Sequence, residues 1–284
     1  MSSQKPLVVV SGATGAQGGS VVNSLLATGK YRIRALTRKP ESDKAKALVA
    51  KGVEVFKADL AVKEDVKNAL NGADIAFIVT NFWDSSIYPN NTAEEERQGK
   101  MIADVAKEVG LNWLIYRTLG IPNSTFIYVG VYASNFGTFF PIITKDDGTS
   151  EFVVPLVKEN TTFEIVDAEA DTGPVVAKVI EEGPKKWNGK KVPVASERIS
   201  FGKIAEILTK VTGKQFKLRS TNLEETKMEF PFLASEELLY MFRWYNDYGV
   251  FGSDKEISDI SIAKVLHPNI TTFEQYAYKK WGNK

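Results

Sequence analysis

Apolar residues over the first 130 positions follow two alternating rhythms. Short apolar runs at 7–10, 31–36, 53–57, 75–79, 113–116 and 126–129 read as strands. Between them, amphipathic patterns at 18–27, 43–51, 63–70 and 92–109 read as helices, several closed by a glycine: Gly29, Gly52, Gly72 and Gly110. Strands alternating with helices imply right-handed βαβ units and a mostly parallel sheet covered by helices. The expected fold class is therefore α/β, a Rossmann-type doubly wound parallel sheet.

After about residue 140 the rhythm breaks into isolated segments. A polar turn, Lys145-Asp146-Asp147-Gly148, precedes an apolar run at 152–157, and a helix is expected to begin near Pro174, where a missing N–H does no harm. A strand at 192–195 is expected to return to the main sheet. Ser200 reads as the cap of a helix through Val211, and Thr271-Thr272-Phe273-Glu274 carries a capping-box pattern before the last helix. The expected division is a nucleotide domain over 1–140 and a smaller α+β lobe over 141–284.

The first strand runs into Gly12-Ala13-Thr14-Gly15-Ala16-Gln17-Gly18, and an amphipathic helix follows at once. Strand, glycine turn and helix in that order suit a dinucleotide pyrophosphate. Gly12 allows the tight turn, Gly15 lets the backbone approach the phosphates, and Gly18 lets the helix pack closely on the strand. The phosphates would lie at a helix N-terminus, where N–H groups and the dipole favour negative charge.

Where a carboxylate commonly binds the ribose 2′-OH of NAD, after the second strand, this chain has Thr37-Arg38-Lys39. Arg38 suits a 2′-phosphate, with Lys39 adding charge, which predicts NADP over NAD by roughly tenfold to a hundredfold. The bland alternative is a solvated turn. Asp59 and Leu60 follow the third strand; Asp59 either accepts from the adenine amino group with Leu60 against the ring, or N-caps the next helix. Thr80, Asn81 and Phe82 follow the fourth strand and either face the nicotinamide-side ribose or form an ordinary turn.

Charge narrows the classes. Lys plus Arg number 36 against 35 Asp plus Glu, so no global positive field invites nucleic acid or an anionic membrane. With no Cys there are no disulfides or thiolates, and with one His, His267, little scope for imidazole metal or triad chemistry. Neither a secretory-type N-terminus nor an apolar run of membrane-spanning length is evident, so a cytoplasmic or nuclear location is expected, and the sequon Asn90-Asn91-Thr92 is a chance match. Tyr240, Phe242, Trp244, Tyr245 and Tyr248 either line a pocket or, more plainly, pack a helix onto the core.

The segments Val10 through Ser20, Ala35-Leu36-Thr37-Arg38 and Phe77 through Trp83 together resemble the NmrA-like atypical short-chain dehydrogenases. Tyr128 to Phe136, Asp171-Thr172-Gly173-Pro174-Val175-Val176 and Met241-Phe242-Arg243-Trp244-Tyr245 agree with that resemblance, which covers nearly the whole chain. It implies a Rossmann domain that binds NADP(H) and a smaller C-terminal lobe closing a cleft. It also implies redox sensing, since many members respond to the NADPH/NADP balance by changing conformation and partner rather than by efficient turnover. A regulatory protein partner follows from the same resemblance.

Related short-chain reductases pair Tyr with Lys one helical turn apart, the Tyr giving a proton and the Lys lowering its pKa. NmrA-like members generally lack the Tyr, and some keep the Lys on the helix between the fifth and sixth strands. Here only Arg117-Thr118-Leu119-Gly120-Ile121-Pro122-Asn123-Ser124 separate those strands. Eight residues fall short of the dozen or so that a helical parallel crossover uses, as though a loop and helix were absent relative to the family. Loss of that cover predicts exposed apolar sheet and self-association through it. Tyr276 and Lys280 match the Tyr-x-x-x-Lys spacing but lie in the last helix, where Lys279 and Lys280 complement its negative end. No catalytic residue is assigned. An NADP-binding regulator is the first reading, and an NADP-dependent reductase of a quinone or small carbonyl compound the second.

Overall fold

The computed structural model describes residues 4–88, 91, 93–116 and 123–282. Along the chain run β1 (Leu7–Val10), α1 (Ala16–Thr28), β2 (Arg32–Thr37), α2 (Asp43–Ala50), β3 (Glu54–Lys57), α3 (Lys63–Leu70), β4 (Ile75–Ile78), α4 (Ala93–Glu108), β5 (Trp113–Tyr116) and β6 (Ser124–Val129). There follow β7 (Val131–Tyr132), β8 (Ile142–Thr144), β9 (Ser150–Val153), β10 (Thr162–Val166), α5 (Ala168–Glu182), α6 (Pro184–Trp187), β11 (Lys191–Val194), β12 (Glu197–Ser200) and α7 (Phe201–Thr212). The remainder is β13 (Phe216–Arg219), α8 (Leu223–Glu229), α9 (Glu236–Tyr248), α10 (Lys255–Ser258), α11 (Ser261–Leu266) and α12 (Phe273–Trp281).

The main sheet has the order β11-β6-β5-β4-β1-β2-β3. From β3 to β6 every neighbouring pair is parallel, and β11 joins β6 through Phe126 N–H to Lys190 O and Gly130 N–H to Val194 O. Those bonds advance together along both segments, so this edge is parallel too. Burial on both faces explains the unbroken apolar strands: all four residues of β1 and all four of β5 are buried. On one face Val9, Ala76, Ile78, Leu114 and Tyr116 pack against Val66 and Leu70 of α3 and Ile102, Val105 and Ala106 of α4.

Two compact units divide the chain: residues 1–128 with 169–192, and residues 129–168 with 193–284. In the first, α5 lies against α1. A Cβ on Gly173 would come within 2.1 Å of the Ser20 carbonyl oxygen, and the Gly173 N–H donates to Ser20 Oγ at 2.9 Å. In the second, two three-stranded sheets, β12-β10-β7 and β13-β9-β8, surround a core in which Phe136 meets Phe140, Phe152 and Phe273 edge-on and Phe163 lies 4.4 Å from Phe201.

Several expectations are corrected. The helix expected near Pro174 begins at Ala168, with Pro174 inside it and Glu169 and Asp171 in its first turn. The expected capping box at Thr271 is displaced by one residue: Thr272 caps α12 and Gln275 reaches back to its N–H. Glu and Gln both offer a side-chain oxygen to accept from the cap N–H, so the pattern marks the start only to within a residue. Of the five aromatic residues on α9, Phe242 and Tyr245 are buried while Tyr240, Trp244 and Tyr248 are exposed, so the plain core reading holds for only part of the cluster.

The largest correction concerns β5 and β6, which pair in parallel with Leu114 opposite Ser124 and Tyr116 opposite Phe126 despite the short connection. Arg117–Pro122 of that connection lie outside the described residues, as do Asn90 and Thr92 of the sequon. A dozen residues is what a helical crossover uses. A return along one short strand asks only that the link reach, and seven residues can span roughly 23 Å. Nor is the flanking sheet bare: Leu114, Tyr116 and Phe126 are all buried. For Tyr116 the reason lies in Gly99 of α4, where a Cβ would stand 2.7 Å from the tyrosine hydroxyl, so the helix closes directly onto the ring.

Candidate nucleotide site

β1 leads to β2 on one side, while β4 pairs with β1 on the other, so the strand order reverses between β1 and β4. In open parallel sheets ligands bind beyond the carboxyl ends of strands at such a reversal. The turn after β1 sits there. Gly12 has φ +59°, a left-handed conformation that favours glycine, and its carbonyl accepts from Gly15 N–H at 2.9 Å. Gly18 is fixed by sterics: a Cβ would lie 2.4 Å from Gly12 C and O and from Ser11 O. At Gly15 the equivalent distance to Gly12 O is 3.3 Å.

Ser11 ties the turn to the neighbouring strand. Its hydroxyl accepts from Val79 N–H at 2.7 Å and donates to Val79 O at 3.0 Å, while its own N–H donates to Phe77 O. The first turn of α1 carries no acidic side chain, and Gly15, its N-cap, supplies no side-chain cap. Ala16 and Thr14 are half-buried, Gln17 and Gly18 buried. The result is a backbone cradle at a helix N-terminus with nothing negative in its opening turn, chemistry suited to an anion.

Arg38 and Lys39 are both exposed just beyond β2. Arg38 Nη1 donates to Asp84 Oδ2 at 2.5 Å, the arginine side chain 53% exposed and the aspartate 16%. Asp84 belongs to the loop after β4. Its Oδ1 accepts from the Ser86 N–H at 3.0 Å and the Ser86 hydroxyl at 2.8 Å. Those two bonds, then Arg38, hold its carboxyl below the usual aspartate range. From α2, Lys44 Nζ donates to Thr14 O at 3.4 Å, bringing another cation to the glycine turn.

The remaining expected residues divide. Asp59 does not cap α3; the N-cap is Val62, and Asp59 Oδ1 instead accepts from Ala61 N–H at 2.9 Å while Asp65 accepts from Asp59 N–H. A carboxylate two residues before its donor makes a local turn, which short polar side chains do readily. Leu60 is half-buried against the α3/α4 core. Thr80 is buried, its hydroxyl donating to Glu95 of α4 at 2.6 Å. Asn81 is exposed and accepts from Asp84 N–H through its carbonyl. Phe82 joins Trp83 and Tyr88 in a cluster of three rings with centroids 5.1–5.4 Å apart.

Ser11, Lys44 and Asp84 were not singled out from the sequence as site residues. Lys44 carried a faint signal as a cation in the first turn of the helix after Arg38. Asp84 carried none, because its partner is 46 residues earlier. In the second unit, Lys280 Nζ donates to Phe136 O at 3.3 Å and lies over the Trp281 ring, and burial lowers its pKa. Lys280 stands in the last turn of α12, as expected, and makes this contact besides.

Sheet order, switch point and glycine turn together define a Rossmann-type protein. The chain belongs to the NmrA-like family, matching it over residues 4–123 and 115–277. The two matched segments meet at 115–123, the stretch that joins β5 to β6. An NmrA-like family domain-containing protein of Dictyostelium discoideum is 28% identical over 306 aligned residues, covering 96% of this chain and 97% of its own length. That aligned length exceeds the 284 residues of the chain, so the relative carries residues this chain lacks. The oxidoreductase cpsB of Aspergillus campestris is 28% identical, covering 89% and 87%. Among solved structures, NmrA, a negative transcriptional regulator, matches in complex with NADP (TM-score 0.78, 23% identity) and with NAD (0.81, 22%), each covering 98% of this chain and 96% of the other. No helix among the described residues is long and apolar enough to cross a membrane.

Proposed function

We propose that this chain binds NADP(H) and acts as a redox-responsive regulator, changing conformation and partner binding with the state of the cofactor. The observation that carries the reading is the pairing of a sterically fixed glycine turn at the switch point with Arg38, rather than a carboxylate, beyond β2. Gly12, Thr14, Gly15, Ala16, Gln17 and Gly18 would hold the pyrophosphate, and Arg38 and Lys39 the 2′-phosphate. Asp59 and Leu60 would border the adenine, with Thr80, Asn81 and Phe82 towards the nicotinamide ribose. Bound there, the nicotinamide would supply a hydride donor or acceptor.

The regulator is favoured over the enzyme by the proton-donor position. Two features count against a catalytic Tyr-x-x-x-Lys pair. β5 ends at Tyr116 and β6 begins at Ser124, a gap too short for a loop and a helix, and the alternative match lies in α12, where Lys280 binds a backbone carbonyl. The partner, in this reading, is a protein, met in the cytoplasm or nucleus; self-association through bare sheet loses its ground, because Leu114, Tyr116 and Phe126 are buried. The reductase reading rests on oxidoreductase relatives such as cpsB, and its substrate would be a quinone or small carbonyl compound.

Hydrogen exchange of the apo, NADP-bound and NADPH-bound chain, run beside an NADPH-consumption assay on a quinone and carbonyl panel, separates the two. The sensor predicts protection that differs between the oxidised and reduced cofactor and no substrate-dependent consumption. Identical protection in the two bound forms together with steady consumption would assign the chain to the reductases.

A further inference from the structure

We propose that Asp84 is a built-in competitor for Arg38: its carboxylate holds the guanidinium until a 2′-phosphate displaces it, so that the loop spanning residues 81–88 registers NADP(H) and ignores NAD(H). This rests on the reading of Arg38 as the 2′-phosphate ligand.

The two partners are fixed very differently. Asp84 is anchored within its own loop: its N–H donates to Asn81 O, its carbonyl accepts from the N–H groups of Ile87 and Tyr88, and its Oδ1 accepts twice from Ser86. Its other oxygen, Oδ2, accepts from Arg38. The carboxylate therefore stays where it is unless the loop itself rearranges. Arg38 is a long, half-exposed side chain whose guanidinium can turn to another anion.

β2 and β4 are not neighbours in the sheet, since β1 lies between them. The ion pair thus bridges, by side chains, from the end of β2 to the loop after β4 across the strand that carries the glycine turn. A nucleotide laid on that turn meets the bridge. A 2′-phosphate brings a charge of about −1.5 to −2, attracted by Arg38 and repelled by the ionised Asp84 close to it. A 2′-hydroxyl brings none, so the bridge survives. Loss of the Arg38 contact would be felt along the loop, where Phe82, Trp83 and Tyr88 pack on one another and Trp83 is 53% exposed.

The test uses 2′,5′-ADP and 5′-AMP as probes on the full chain, the Asp84→Asn variant and the Arg38→Ala variant. Affinities come from calorimetry and loop motion from tryptophan emission, assigned with Trp83→Phe. The asparagine side chain is nearly isosteric with aspartate and keeps an Oδ1 acceptor for Ser86, so the loop is retained; a thermal melt checks it. The expected result is 2′,5′-ADP binding D84N roughly tenfold more tightly than the parent, 5′-AMP binding unchanged, and a Trp83 signal from 2′,5′-ADP alone. Weaker 2′,5′-ADP binding by D84N would make Asp84 a residue that orients Arg38, and equal shifts for both probes would remove any role at the 2′ position; either result overturns the proposal while leaving Arg38 in place. If the parent binds both probes equally and R38A changes neither, the underlying NADP reading has failed, and the competitor with it.

Discussion

Around the turn after β1 the backbone is fixed by contacts that leave no room for a side chain. Beyond β2, Arg38 is held, among the described residues, by one ion pair. At Gly18 a single added carbon would overlap three backbone atoms at 2.4 Å, whereas Arg38 is more than half exposed and touches Asp84 through one nitrogen. The first region is rigid because close-packed backbone has no alternative arrangement. The second is adjustable because surface ion pairs contribute little and can exchange partners at small cost. In the proposed reading, the rigid turn would cradle the part every dinucleotide shares, and Arg38 would meet the part that distinguishes one from another.

The contrast breaks most readily at Gly18. Gly18→Ala should destabilise the chain by about 2–4 kcal/mol in chemical denaturation, because the new methyl must displace backbone of the turn and not the tip of a flexible side chain. A change under about 0.5 kcal/mol would show that the turn is as pliable as the Arg38 side. Gly12→Ala sharpens the point. Its Cβ would meet only Val79 Cβ at 4.0 Å, so the expected loss of about 1–2 kcal/mol is purely conformational, from φ +59°. The Gly18 variant should therefore be the worse of the two. On the other side, Arg38→Ala should alter stability by no more than about 1 kcal/mol, since the guanidinium side chain is more than half exposed.

The smallest effect concerns Glu181, whose pKa is lowered from 4.5 to about 2 by hydrogen bonds from Lys30 and then Lys178. A carboxylate with a depressed folded pKa stabilises above its unfolded value and loses that contribution as pH falls through the folded one. Melting curves of the parent and Glu181→Gln should accordingly converge between about pH 4.5 and 2. Since the Glu181 side chain is exposed, curves that already coincide at pH 7 would mean that solvent screening removes the pair's value altogether.

How far the sequence was readable follows the same division. Steric requirements leave a mark at the position that bears them: Gly12, Gly15 and Gly18 announce the turn, and the apolar runs of β1 and β5 announce buried strands. Ser200 marks the start of its helix correctly, accepting from Lys203 N–H. Relationships between distant residues leave no such mark. Asp84 becomes visible only when the loop after β4 comes back to the end of β2, and Glu95 only when α4 brings it to Thr80. The short connection misleads for a different reason. The length rule for helical crossovers does not govern strands that need only a link long enough to return, and Gly99 lets α4 close onto Tyr116.

Calorimetric titration of the parent chain and Arg38→Ala with NADP and NAD tests the central claim most directly. The parent should prefer NADP by roughly tenfold to a hundredfold, and the substitution should erase the preference by weakening NADP while leaving NAD nearly unchanged. Equal affinity for NADP and NAD in the parent, with no effect of the substitution, would contradict it.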